Sequence, residues 1–243
     1  MAQPLTEPDG VRVAPLGAWR PAVVREMSHG NAMSAVLRLD VPDRIQHLPG
    51  QHYVVRLTAD DGYTATRSYS IASAPHDPLI ELYVERLDDG EVSPYLVDAV
   101  EVGDELEVRG PIGGWFVWDG ETPAVGVAGG SGVVPLVSML RHAEHVGAMD
   151  RLRLAVSSRT LAELPYAAEL QAAGAVLALS REVSAAGRAA GRLVATELAP
   201  LVNPGATYYV CGSAGFAEAA STLLMTLGVA PGAVRVERFG PSG

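Results

Sequence analysis

The chain has 243 residues, 48% hydrophobic and 19% charged, with 26 glycines, 17 prolines and one cysteine, proportions that exclude a disordered segment, a collagen-like repeat and a disulfide-stapled scaffold. Its net charge is −10, from 28 acids against 18 bases that are all arginine, so nucleic acid is disfavoured as a partner, because neutralising phosphates needs a net basic face. A single thiol excludes a four-cysteine iron–sulfur cluster and a cysteine-rich zinc site within this chain, and makes a reducing compartment, the cytoplasm, the expected location. The length accommodates two domains of about 120 residues.

In chain order, residues 1–10 carry neither a basic start nor an apolar run, so no signal peptide is expected. Residues 22–24, 35–39, 52–57, 67–72, 79–87 and 105–109 are β-branched or alternating, with the turn dipeptides Pro49-Gly50, Asp61-Gly62 and Asp89-Gly90 between them; six such strands predict a small antiparallel barrel. Residues 93–97 predict one helical turn, with Ser93 as its cap and Pro94 at the first position. The rhythm changes near residues 119–123. Strands at 125–128, 152–157, 176–180, 208–211 and 234–237 then alternate with helices at 133–146, 164–172 and 216–227, which predicts a parallel sheet covered by helices on both faces. The expected domains are 1–118 and 119–243. The uncharged stretch 122–140 has the length of a membrane span, but its two prolines and four glycines predict a buried strand, a tight turn and a helix start instead.

Gly129-Gly130-Ser131-Gly132 lies between a strand and a helix, where glycines let backbone amides approach a pyrophosphate at the positive end of the helix; a purely structural turn is the alternative. After the second strand of this half stands Ser157-Ser158-Arg159 instead of the acid that holds an NAD ribose, a set suited to a 2′-phosphate. Ser180-Arg181 and Gly191-Arg192 offer further positive charge at neighbouring strand ends, although Arg192 also suits the pyrophosphate. Cys211 ends a parallel strand, where open α/β sheets bind ligands, although a lone cysteine is more often a small buried hydrophobe. His142 and His145 lie three apart on a helix with no third ligand nearby, so no metal site is expected.

Taken together these segments resemble the ferredoxin–NADP reductase superfamily over nearly the whole chain. Pro49-Gly50-Gln51 followed by Arg67-Ser68-Tyr69-Ser70 resembles its flavin motif. Glu81 to Arg86, including Tyr83 and Val84, with Gly90-Glu91-Val92-Ser93, resembles the second flavin segment. Gly110-Pro111 and Gly113-Gly114-Trp115-Phe116 resemble the stretch that closes the barrel, Gly130 to Pro135 the nicotinamide-nucleotide loop, Tyr209-Val210-Cys211-Gly212-Ser213 the Cys-Gly motif, and Glu237-Arg238-Phe239-Gly240 the C-terminal strand.

The resemblance implies a Greek-key flavin-binding barrel and a Rossmann-like nicotinamide-binding domain. It implies Arg67 on a flavin pyrophosphate, Tyr69 against the isoalloxazine, Ser70 at its N5, and Ser93 opening a helix whose amides meet the pyrophosphate. Cys211, Gly212 and Glu237 are implied at the nicotinamide side, with Ser70, Cys211 and Glu237 as the catalytic set and Phe239 in the place of the aromatic that covers the flavin. The implied cofactors are FAD, favoured over FMN because no C-terminal cluster domain follows, and NADPH, with NADH possible. The expected function is an NAD(P)H oxidoreductase passing electrons to a ferredoxin, a flavodoxin or another acceptor, as a monomer without a membrane span. A free-flavin or ferric-siderophore reductase and a non-catalytic redox subunit of a larger complex are the alternatives.

Overall fold

The computed structural model describes residues 17–31 and 33–240; the sequence readings at 1–10 and 241–243 lie outside them. Six strands build one antiparallel sheet in the order β4-β3-β6-β1-β2-β5, where β1 is Arg20–Asn31, β2 Ser34–Asp40, β3 His52–Thr58, β4 Thr64–Ser70, β5 Ile80–Glu85 and β6 Glu105–Ile112. A bridge from Ile71 to Leu82 joins the end of one edge strand to the other and closes a Greek-key barrel. The two-residue period of the strands supplies its core: Ile80, Leu82 and Val84 point inward against Val24, Leu37, Leu39 and Tyr53, which leaves Glu81, Tyr83 and Glu85 on the outer face.

The helix α1 (Ser93–Asp98) forms where expected, but Ser93 is not its cap. Val92 occupies the cap position, and the Ser93 hydroxyl accepts instead from the Leu87 amide at 3.0 Å, tightening the turn that enters the helix.

The second sheet is wholly parallel, in the order β11-β10-β7-β8-β9, with β7 at Ala124–Gly129, β8 at Leu152–Ser158, β9 at Val176–Leu179, β10 at Thr207–Ser213 and β11 at Val234–Phe239. The central strand β7 is covered on both sides, which is why it reads as an unbroken apolar run. The helices α2 (Val134–Val146) and α3 (Ala167–Ala172) cover one face, over Leu154, Val156 and Tyr209. On the other face, α4 (Ala195–Leu198) and α5 (Ala214–Thr226) cover Val125, Val127 and Val210. The helix expected from 164 starts later because Tyr166 adopts a left-handed conformation, φ 56°, immediately before it. The uncharged stretch resolves into β7, a short 3-10 turn (Gly130–Val133) and the first half of α2. Among the described residues no helix is long and apolar enough to cross a membrane.

The two sheets meet at a hydrogen-bonded joint. The Tyr209 hydroxyl donates to the Val117 carbonyl at 2.7 Å, Arg235 donates to the carbonyls of Trp115 and Val117 at 3.0 and 3.1 Å, and Ser138 of α2 donates to the Ser73 carbonyl at 2.7 Å. The passage is tight: a Cβ on Gly50, whose φ is +98°, would fall 1.8 Å from the Phe116 carbonyl oxygen.

Candidate functional site

The first half of the site is the end of β4. Alternation puts Arg67 and Tyr69 on one face of this edge strand, with Tyr69 directly opposite Tyr53 of β3, while Ser68 faces outward and exposed. Among the described residues, the hydroxyls of Tyr53 and Tyr69 are buried without a hydrogen-bond partner. Burial pushes the Tyr69 phenol far above its ordinary range, against the opposing pull of the Arg67 charge, so it stays a neutral donor. Ser70 is 7% exposed and lies opposite His52, whose imidazole burial holds below its usual pKa. The preceding turn is pinned by Gln51, which accepts from the Leu48 amide at 2.7 Å and donates to the Gly113 carbonyl at 2.6 Å. A guanidinium, an orphaned phenol and a buried hydroxyl within four residues suit a ligand with a phosphate, hydrogen-bond acceptors and an aromatic ring.

The second flavin segment is placed differently from what its residue names suggest. Val84 and Val92 are 0% and 1% exposed in the barrel core, so only their backbone is available to a ligand. Tyr83 is half-buried on the outer face, its ring 6.1 Å from that of Tyr166. Gly90 packs against Ser93, where a Cβ would come within 2.9 Å of the hydroxyl oxygen. Glu81 turns into the domain joint.

The other half is a crevice at the C-terminal ends of β7 and β10. The chain runs from β7 through β8 to β9 on one side and returns to β10 on the other, so the connections diverge between β7 and β10; such a switch point is where open α/β sheets hold ligands. Gly130, Ser131 and Gly132 turn there from β7 into α2. A Cβ on Gly132 would fall 2.4 Å from the Cys211 carbonyl oxygen, so only glycine lets the turn lie against Cys211-Gly212. That contact places the turn's backbone amides at the start of a 13-residue helix, the kind of position that binds phosphate groups.

Cys211 is fully buried and pairs in register with Glu237 of β11. Burial, reinforced by the neighbouring Glu237, pushes the thiol well above its ordinary range, so the side chain expected at the nicotinamide is a neutral core group and not a nucleophile, and only its backbone borders the site. One carboxylate oxygen of Glu237 is buried without a partner among the described residues, and burial raises its pKa to about 7. Phe239 is half-buried at the end of β11, opposite Ser213 and packed on the α2 side of the sheet.

The three arginine segments come together. Ser180 and Arg181 donate from their amides to the carbonyls of Ser158 and Arg159, both at 2.9 Å, and the Gly191 amide donates to the Leu179 carbonyl at 2.9 Å, which brings Arg192 alongside. Sequence reasoning missed two partners here. Arg159 is paired with Glu163 at 2.6 Å, and Arg188 is paired with Glu197 and donates to the Arg192 carbonyl at 2.8 Å. His142 bonds to the Asp119 carbonyl at 3.1 Å, and His145 stacks on His76.

Residues 22–117 match the oxidoreductase FAD-binding domain family. Over 218 residues the chain is 28% identical to the ferredoxin–NAD(P)(+) reductase component of the naphthalene 1,2-dioxygenase/salicylate 5-hydroxylase systems of Ralstonia sp., covering 85% of this chain and 65% of that protein. It is 33% identical over 132 residues to the propane 2-monooxygenase reductase component of Gordonia sp. (strain TY-5), covering 53% and 37%. Thus it spans about two thirds and about one third of these two relatives. Among solved structures, the flavohem-like FAD/NAD binding domain of a Vibrio cholerae nitric oxide dioxygenase superposes with a TM-score of 0.78 at 26% identity, covering 91% of this chain and 99% of that one. The first domain belongs to that FAD-binding family, and the chain as a whole is similar in sequence and fold to reductases of the ferredoxin–NAD(P)(+) type.

Proposed function

We propose that the protein is an FAD-dependent NAD(P)H oxidoreductase that prefers NADPH and hands single electrons to a separate carrier protein of ferredoxin or flavodoxin type. One observation carries the reading: the helix that leaves the glycine turn at Gly130–Val133 is hydrogen-bonded through Ser138 to Ser73, three residues beyond Ser70, so the β4 end and the switch-point crevice face one joint. The names of the relatives, reductase components of oxygenase systems, support the electron-transfer role.

Bound FAD supplies the conversion between a two-electron hydride and single electrons. The chain supplies position. Arg67 holds a pyrophosphate through a fixed fork of donors, Tyr69 offers its ring face and Ser70 donates to a flavin ring nitrogen. Gly132 and the backbone of Cys211-Gly212 form the surface on which a nicotinamide packs, with the covered Cys211 thiol supporting it from within the sheet, and Glu237, titrating near neutrality, can hold or release a proton beside it. Ser70→Ala and Cys211→Ala are expected to slow flavin bleaching by saturating NADPH at least tenfold while leaving FAD bound, as stopped-flow absorbance would read. Wild-type rates in both would return the two residues to structural roles.

NADPH preference is assigned to Arg159, Arg181 and Arg192 with Ser158 and Ser180. The Arg159–Glu163 pair is exposed and worth at most about 1 kcal/mol, so a 2′-phosphate displaces it. Two arginines each contributing about 1.5 kcal/mol give NADPH over NADH a preference of about one hundredfold or more in kcat/KM. Equal efficiency with both nucleotides, or an Arg181→Ala variant that keeps the whole preference, refutes the assignment.

A further inference from the structure

We propose that Arg141 and Glu81 are positioning residues for hydride transfer, a cross-domain clamp that sets the separation of the flavin-facing and nicotinamide-facing surfaces; this rests on the oxidoreductase reading above. Glu81 projects from the outer face of the barrel, where its side chain would be in water if the second domain lay elsewhere, yet only 10% of it is exposed. Its Oε1 accepts from Arg141 of α2 at 2.8 Å and from the Tyr166 hydroxyl at 2.9 Å. The Arg141 guanidinium also donates to the Ala72 carbonyl at 3.1 Å and, through two nitrogens, to both oxygens of Glu169 at 2.8 Å, while lying 5.0 Å over the Tyr166 ring. Tyr166 holds its place with a left-handed backbone that non-glycine residues seldom adopt. Behind Glu81, Arg38 approaches its Oε2 at 3.6 Å and is itself bound to both oxygens of Asp77.

A cluster like this is a costly way to hold two surfaces together, because apolar side chains of equal volume pack as well without desolvating charges. What it adds is a single geometry. Arg141 grips Ala72, two residues past Ser70, and Ser138, one helical turn earlier, grips Ser73. The same helix begins at the glycine turn that lies against Cys211. The clamp therefore ties the end of β4 to the rod that carries the crevice, and a displacement of about 1 Å there is enough to cost transfer on the order of a hundredfold.

The test uses the FAD-loaded full chain with Glu81→Gln, Arg141→Met and Tyr166→Phe. For the first two, the rate of flavin bleaching at saturating NADPH is expected to fall at least tenfold, with FAD content unchanged and KM within threefold; Tyr166→Phe is expected to lose about twofold. The second readout is the distance distribution between spin labels on Asp60→Cys and Glu218→Cys, exposed positions on the two domains, which should broaden in E81Q and R141M. If R141M does not fold, E81Q, which keeps the shape of the side chain, decides. A wild-type rate in a variant whose distances broaden, a slowed rate with unbroadened distances, or no change in either overturns the proposal. If NADPH fails to bleach the wild-type protein, the oxidoreductase reading falls, and the label distances still decide whether these residues set the domain geometry.

Discussion

Two buried titratable side chains pull the stability of the protein in opposite directions with pH. Glu237 has its pKa raised by burial from 4.5 to about 7. Its stability contribution is therefore complete below pH 4.5 and is lost as pH climbs through 7, by an amount on the order of 3 kcal/mol. Glu237→Gln should melt several degrees above wild type at pH 8.5 and level with it at pH 4.5, in thermal scans across that range. His47 is the converse: burial lowers its pKa from 6.5 to about 4, and its Nε2 lies 3.0 Å from the Ser73 carbonyl. Its contribution is present above 6.5 and lost as pH falls toward 4, so His47→Gln should flatten the acid limb of the same scans. Arg67→Ala removes charge-assisted bonds worth about 1.5–3 kcal/mol each, so FAD affinity should drop at least tenfold in a fluorescence titration. The sequence made Arg67, Ser70 and Cys211 legible because each sits in a short contiguous motif. It did not reveal Glu81, Arg141 and Tyr166, because their partners are distant in the chain and carry no common spacing; Glu81 even stood inside a flavin segment.

Among the elements, the strands were readable from alternation and turn dipeptides, and the central β7 from its unbroken apolar run. The cap of α1 and the start of α3 were not. Ser93 has the residue type of a cap but spends its hydroxyl on Leu87, and α3 begins where Tyr166 turns left-handed; both depend on contacts that no local pattern encodes. The turn between β7 and α2 offers a sharp test of the element itself. Gly132→Ala forces a Cβ into the Cys211 carbonyl, and backbone on both sides must shift. A loss of about 2 kcal/mol or more is expected in denaturant melts, because overpacked contacts against backbone relax poorly. NADPH affinity should fall along with it.

Across the whole molecule, the domains share hydrogen bonds from three separate elements of the second half, α2, β10 and β11, so the joint is part of the folded structure and not a passive linker. The two-domain organisation was visible in the change from strand repetition to strand–helix alternation along the chain. The joint was invisible, because it is made by residues from both halves that meet only once each half has folded. The buried position of Cys211 has a practical consequence. It is the one cysteine of the chain and is fully covered at the centre of the parallel sheet, so a thiol reagent reaches it only when that sheet opens. The modification rate of the native protein is thus a built-in clock for opening of the second domain, requiring no engineered label, and any ligand that seats in the crevice should slow it.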